Sequence, residues 1–319
     1  MVLESLSLFL QTSVQMGTHI LFAVLGGILC EKVGNLNLGI EGMMLLGAAS
    51  GFFAALTLAN PLAAVLAAGL AGSAGALIYA FITVTLRGNQ VVTGLVLTVF
   101  GAGVSGYMGK GLTGKALPEQ VARALGPLKI PLVSRIPVLG PMIFSQNLYV
   151  YASVVLAVIL WVYLTYTRKG LNARAVGENP GAADSSGISV SGYKYAHILL
   201  GGFLCGVGGS FLSLVLVPRW QENITAGAGW IAVALVIFSG WHPLKALGAA
   251  WLFGALKGVG FKFQSFNLTV LGRRIVFSPQ ILDMLPYIAT VLALAFTALG
   301  KRKTQAPASL GTPYFREER

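Results

Sequence analysis

Nine runs of apolar residues, at 6–29, 40–58, 62–86, 91–108, 148–167, 195–217, 226–238, 244–261 and 281–299, alternate with polar breaks along the chain. A helix rises about 1.5 Å per residue, so roughly 20 apolar residues cross the hydrocarbon core of a bilayer. The pattern predicts an all-α, polytopic integral membrane protein with about nine transmembrane helices, eight to ten depending on how the breaks are divided. The seventh run is short and carries Gly227 and Gly229, which predicts a broken or half-spanning helix, a form transporters use where backbone lines a cavity. Residues 1–10 hold only Glu4 as a charge, so the first run reads as a retained span rather than a cleaved leader.

Two long breaks hold many of the polar residues. The first, 109–147, contains Pro118, Pro127, Pro131, Pro137 and Pro141 and cannot be one continuous helix. The second, 168–194, accommodates a short helix after Pro180, with Asn179 as its cap and Gly187 as its stop. Residues 1–300 form the transmembrane domain and 301–319 a charged tail. Placing Lys301, Arg302 and Lys303 in the cytoplasm puts 168–194 inside, 109–147 outside and, with nine spans, the N-terminus outside. A tenth, re-entrant segment around 130–144 would change that parity. Asn60-Pro61-Leu62-Ala63-Ala64 and His242-Pro243-Leu244-Lys245-Ala246 each open a span that follows a shorter one, and the two pairs run in opposite directions. That is the pattern of an inverted repeat, or else of two similar helix starts.

Composition agrees with the pattern. Of 319 residues, 55% are hydrophobic and 10% charged, against about 25% charged in soluble domains. Ten acidic and 22 basic residues cannot cover a soluble surface of this size, which excludes a soluble enzyme. The net charge of +12 is scattered over loops rather than gathered on one face, so it fits anionic lipid headgroups and not nucleic acid. Cys30 and Cys205 both lie in apolar stretches and read as small core residues, with neither a disulfide framework nor a metal site.

Candidate chemistry is sparse. Gly109-Lys110-Gly111-Leu112-Thr113-Gly114-Lys115-Ala116 comes close to a phosphate-binding loop, but Ala116 stands where a hydroxyl must hold magnesium and no strand precedes it. His19, His197 and His242 are far apart and no metal-binding or nucleophile signature exists, which disfavours an intramembrane enzyme. His19 lies within the first span, where it is either a packing residue or faces a cavity. Glu31 and Lys32 suit a loop at the inner interface. Glu41 reads either as an acid favoured by the dipole of its own helix or as a residue near a pathway. Asn35 and Asn37 suit discontinuous backbone. Asn37, Glu41, Asn89 and Trp230 are the candidate pathway residues, on polarity or aromaticity at depth. Glycines at 69, 72 and 75, 202 and 206, and 254 and 258 read as helix-packing ridges. Trp161, Trp220, Trp241 and Tyr149 read as an aromatic belt at span ends.

Three stretches carry a family resemblance. Gly26-Gly27-Ile28-Leu29-Cys30-Glu31-Lys32-Val33-Gly34-Asn35-Leu36-Asn37-Leu38-Gly39-Ile40-Glu41-Gly42-Met43-Met44 resembles the N-terminal signature of permease subunits of bacterial ABC importers for nucleosides and simple sugars, within the ribose and branched-chain amino acid permease superfamily. Gly177-Glu178-Asn179-Pro180-Gly181-Ala182-Ala183-Asp184-Ser185-Ser186-Gly187-Ile188 looks like that family's cytoplasmic coupling segment, with Gly181 where the general importer motif has Glu. Ser239-Gly240-Trp241-His242-Pro243-Leu244, in its glycine-rich setting, is similar to the family's penultimate region, and 306–319 resembles the ends of this group.

The resemblance implies a multi-pass permease of the bacterial plasma membrane that forms half of a translocation pathway for nucleosides. Simple sugars and riboflavin are the alternative cargoes. Glu178, Asn179, Pro180, Ala182, Ala183 and Gly187 would couple it to a cytoplasmic ATPase. The chain itself would hold no cofactor, since ATP and Mg would be bound by that ATPase. A second permease subunit and an extracytoplasmic substrate-binding lipoprotein would complete the importer. A secondary transporter driven by an ion gradient is the reading from another class. It requires intramembrane charges as coupling sites, for which only Glu41 and Asp283 are candidates.

Overall fold

The computed structural model describes residues 2–129, 139–265, 268–270, 273–275, 278, 281–282, 284–299 and 306–316. Its helices are α1 (Val2–Lys32), α2 (Ile40–Leu58), α3 (Pro61–Ala80, continued by a π turn, Phe81–Thr85), α4 (Gln90–Gly109), α5 (Glu119–Ala124), α6 (Leu139–Phe144) and α7 (Leu148–Tyr166). There follow α8 (Arg168–Glu178), α9 (Pro180–Ser185), α10 (Val190–Phe211, continued by a π turn, Leu212–Leu216), α11 (Ala228–Phe238), α12 (Pro243–Ser265) and α13 (Leu285–Leu299). Two antiparallel strand pairs, Pro127–Lys129 with Ser145–Asn147 and Leu268–Val270 with Arg273–Ile275, close loops.

All nine apolar runs fall on helices. Six described helices are long and apolar enough to cross a membrane: Ser5–Lys32, Ile40–Leu58, Pro61–Thr85, Gln90–Gly109, Leu148–Tyr166 and Val190–Leu216. The others depart from that form for visible reasons. Helix α11 has 11 residues, α12 carries Lys245, Lys257 and Lys262, and the described part of α13 has 15 residues.

Capping explains where the helices begin. The Asn60 side chain accepts from the amides of Leu62 and Ala63 ahead of α3, Asn89 from Val92 ahead of α4 and Asn147 from Val150 ahead of α7. Each side chain satisfies one or two of the free amides that every helix start leaves.

The packing is built on small residues. A Cβ on Gly72 would strike the Gly202 carbonyl, and one on Gly206 the Ala68 carbonyl, so α3 and α10 touch backbone to backbone. Gly17 meets Ala250, and Gly254 meets Ser13, in the same way between α1 and α12. Such approach lets main chains gain dispersion contact where no hydrophobic drive exists between helices. Helices α1, α2 and α10 are mostly buried, whereas Leu62, Leu66 and Leu70 on α3, Val96 and Val99 on α4 and Val155 and Ile159 on α7 face outward as a lipid-compatible surface.

The sequence of elements repeats. Helices α1, α2 and α3 correspond to α10, α11 and α12, with Pro61 and Pro243 opening the third helix of each set. The α3–α10 contact is the counterpart of the α12–α1 contact, as an inverted repeat requires.

Two faces follow from the contacts. Residues 306–316 touch Gly34, Gly177, Asp184 and Arg87, which gathers the α1–α2, α3–α4 and α7–α10 connections on one face, here the tail face. Ala116 bridges to Arg219 and Gln11 bonds to Ser145 on the opposite, loop face. Helix α4 ends and α7 begins on that loop face, so the segment between them adds no net crossing. Of the re-entrant segment, 130–138 lies outside the described residues, as do Asp283 and the cluster Lys301, Arg302 and Lys303; α6 is a six-residue helix against α1.

Three aromatics depart from the belt reading. Trp220, Trp241 and Tyr149 are 5%, 5% and 4% exposed, while Trp161 is half-buried. Two of them have internal polar partners: Trp241 Nε1 donates to Glu31 Oε2 at 2.5 Å, and Tyr149 pairs with Ser210 at 2.9 Å. Glu31 is correspondingly not in an interfacial loop but on the last turn of α1, fully buried. Cys30 and Cys205 are buried free thiols.

Candidate functional site

Helix α2 does not start where α1 ends. Residues 33–39 run inward as extended and turned backbone held from both sides. Tyr79 donates its hydroxyl to Leu36 O at 2.7 Å, Gln90 Oε1 accepts from Leu36 N at 2.7 Å, and Thr98 donates to Leu38 O at 3.1 Å. Asn37 closes the segment by accepting from Gly39 N at 2.9 Å. These side chains replace the hydrogen bonds that broken helical backbone loses in a membrane.

The other break mirrors it. Residues 217–227 lead from α10 to α11, an 11-residue helix about 16 Å long, roughly half the hydrocarbon thickness. Its first amides are capped by an acid from another helix. Glu41 Oε1 accepts from Thr225 Oγ1 at 2.5 Å and Gly227 N at 2.9 Å, and Oε2 accepts from Gly229 N at 2.5 Å. Gly227 has φ +81°, a left-handed conformation suited to glycine, and a Cβ on Gly229 would lie 2.5 Å from the Glu41 backbone. The starts of α2 and α11 thus meet side by side around one carboxylate, which is 4% exposed. Glu41 caps α11 rather than acting only on its own helix.

The candidate pathway residues do not share one wall. Asn37 is fully buried in its own turn because its carbonyl is used by Gly39. Glu41 sits at the junction, and Asn89 is exposed on the tail face as the cap of α4. Trp230 is 38% exposed on α11 and does not line the Glu41 junction's polar contacts.

On the tail face the 168–194 segment is a helical hairpin. Thr167 caps α8 by accepting from Gly170 N at 3.0 Å, and Asn179 caps α9 by accepting from Ala182 N at 2.9 Å. Pro180 takes the first turn of α9, and Gly187, with φ +80°, ends it. Glu178, Asn179, Ala182, Ser185 and Gly187 are exposed, whereas Ala183 is buried against Val33, Val176 and Val190. Ala183 therefore seats α9 on the bundle, and Ala182 lies on its open side. Nearby, burial pushes the His242 imidazole below its ordinary pKa, with Lys245 and Lys32 adding to the effect.

Residues 306–316 strap this hairpin to the broken segment. Ser309 donates its amide and its hydroxyl to Gly177 O at 3.0 and 2.6 Å, and Gly311 N donates to Gly34 O at 3.3 Å. Tyr314 donates to Asp184 Oδ2 at 2.9 Å, Arg316 pairs with the same oxygen, and the Arg87 guanidinium lies 4.8 Å above the Phe315 ring centre. The sequence marks this tail as charged and as resembling the ends of the family, but nothing in its composition reveals a pairing with residues 130 or more positions away. Asp184→Ala is expected to raise amide exchange across 309–312 about fivefold, the effect of losing roughly 1 kcal/mol of hydrogen bonding. Hydrogen–deuterium exchange reads this directly, and unchanged protection would mean that Asp184 does not hold the strap.

A bundle with two half-depth breaks meeting at its centre, and a capped polar hairpin on one face, is the architecture of a membrane transport permease. The chain belongs to the family of the branched-chain amino acid transport system permease component, which it matches over residues 9–296. It is 32% identical to a protein of Haloferax volcanii provisionally named a glucose ABC transporter permease, TsgC13, over 97% of each chain. It is also 32% identical to the nucleoside ABC transporter permease NupC of Lactococcus lactis, over 99% of each chain. The guanosine ABC transporter permease NupQ of Bacillus subtilis shares 32% identity over 100% of this chain and 99% of its own. The protein is an ABC transporter permease, a multi-pass protein of the plasma membrane and a transporter component rather than an enzyme. Permeases of this class act with an ATPase and a substrate-binding partner, and nothing in these relationships supports the ion-gradient alternative.

Proposed function

We propose that this chain forms half of the translocation pathway of a nucleoside importer, paired with a second, different permease subunit. The observation that carries the reading is the α8–α9 hairpin, a capped and exposed element tied to the broken segment by the strap. Glu178, Asn179, Pro180, Ala182 and Gly187 face the ATPase, while Ala183 fixes the hairpin beneath them. ATP and Mg are bound by that separate ATPase subunit, which lies on the tail face in the cytoplasm. A substrate-binding lipoprotein docks on the loop face. Nucleoside cargo is favoured by the full-length likeness to two nucleoside-type permeases, with a simple sugar as the second reading from the glucose-type relative.

Ala182→Trp tests the coupling surface without disturbing the buried side of α9. The variant is expected to lose co-purification with the ATPase and to reduce ATP-driven uptake of labelled guanosine at least about fivefold, since one bulky side chain in a packed interface costs 1–3 kcal/mol. Wild-type values for both would sink the coupling assignment. Parallel uptake of adenosine, glucose, ribose and riboflavin by the same assembly decides the cargo.

A further inference from the structure

A cavity of about 470 Å³ opens between α1, the π turn of α10, the 217–227 segment, α12 and α13. Its position follows from its walls. Thr225, one of the three groups that hold Glu41, also lines the cavity, so it ends at the junction where α2 and α11 begin. Gln221 lies exposed on the loop-face side of the same segment. The cavity therefore reaches from the loop face down to the central break.

His19 lines it from α1. The residue is 1% exposed, one side of its ring stacks on Phe211 with centroids 6.4 Å apart, and neither ring nitrogen has a hydrogen-bond partner. A buried imidazole with both nitrogens unsatisfied is costly, and an ionisable residue inside a membrane span ordinarily marks a functional pathway. Lys257 and Tyr287 supply further polar groups, and Leu212, Leu216, Val217 and Ile224 make an apolar wall. The size falls within the range of small-molecule sites, and the mixture of apolar surface with a few polar groups is their usual composition.

We infer that this cavity is a cargo site for an uncharged solute carrying a hydroxylated sugar ring, with His19 bonded to one of its hydroxyls. A neutral imidazole offers one donor and one acceptor, which matches a hydroxyl's own donor and acceptor. The described lining residues include no carboxylate to hold a cation, Lys257 is already engaged within the chain and so is no free counter-charge for an anion, and the apolar wall suits the flat face of a base or the C–H face of a sugar. Nucleosides and simple sugars share the hydroxyl chemistry, and only the former also use a planar apolar surface. The inference rests on the importer reading and assigns the residue that grips the cargo.

The test uses the complete transporter, with its ATPase, second permease and binding protein, in proteoliposomes supplied separately with labelled guanosine and labelled glucose. His19→Leu is expected to lower uptake about tenfold, the effect of one lost hydrogen bond to cargo, while the variant still assembles with its partners. His19→Gln, whose amide keeps a donor and an acceptor, is expected to restore most of the uptake. Met16→Trp narrows the same cavity and leaves His19 in place, so it too should slow uptake. Wild-type uptake by His19→Leu overturns the inference. If His19→Leu instead fails to assemble, normal uptake by Met16→Trp overturns it and impaired uptake supports it. A wild-type complex that moves neither solute with ATP refutes the importer reading itself, a separate outcome.

Discussion

Replacing Glu41 by leucine is expected to destabilise the permease by about 3–5 kcal/mol, the usual cost of removing one member of a buried charged network. Three donors lose their acceptor at once: Thr225 Oγ1 and the amides of Gly227 and Gly229. Thr225 and Gly229 are buried there, and the first turn of α11 has no side-chain cap of its own. Glu41→Gln keeps one acceptor oxygen but sets an amide N–H against a backbone N–H, so an intermediate loss is expected. Thermal unfolding of the detergent-solubilised protein separates the three forms, in the order wild type, glutamine, leucine. Uptake should fall in the same order, because the broken helices are positioned by this contact. A leucine variant that melts with the wild type would show that α11 is held by its packing alone.

The second large effect is expected at the glycine seam. Gly206→Leu places a side chain where the Ala68 carbonyl and the Gly72 main chain already are. Only separation of α3 from α10 can relieve the clash, and that forfeits contacts along both helices. A cost of at least about 3 kcal/mol is a large part of the stability margin of a typical protein. Extracted protein should be polydisperse and its amount in membranes strongly reduced. Gly103→Ala, a position with open space around its added carbon, is the matched control and should behave as wild type. A monodisperse Gly206→Leu at full yield would contradict the close helix approach.

The helices were legible because lipid imposes a simple rule, long apolar runs between polar breaks, and this chain obeys it. The capped α9 was equally readable, since Asn179, Pro180 and Gly187 each have a strong positional preference in helix ends. What pattern cannot reveal is pairing between distant polar groups. Glu41 looks like an ordinary first-turn acid until the start of α11 is placed beside it. Trp241 looks like a belt residue until Glu31 is found at its indole nitrogen, and Ser309 looks like part of a solvated tail until Gly177 is found beneath it. In each case the partner lies more than 130 positions away, and no local spacing encodes it.

The meeting of α2 and α11 also bears on how the membrane keeps its ion gradients. Each helix start carries about half an elementary positive charge, and two such starts converge on the single carboxylate of Glu41. The opposing partial charges offset one another at that junction. A proton or sodium ion arriving there finds no counter-charge to offset its lost hydration, whereas an uncharged solute needs none. Electrical neutrality at the break would let a solute conduit work in an energised membrane without draining it.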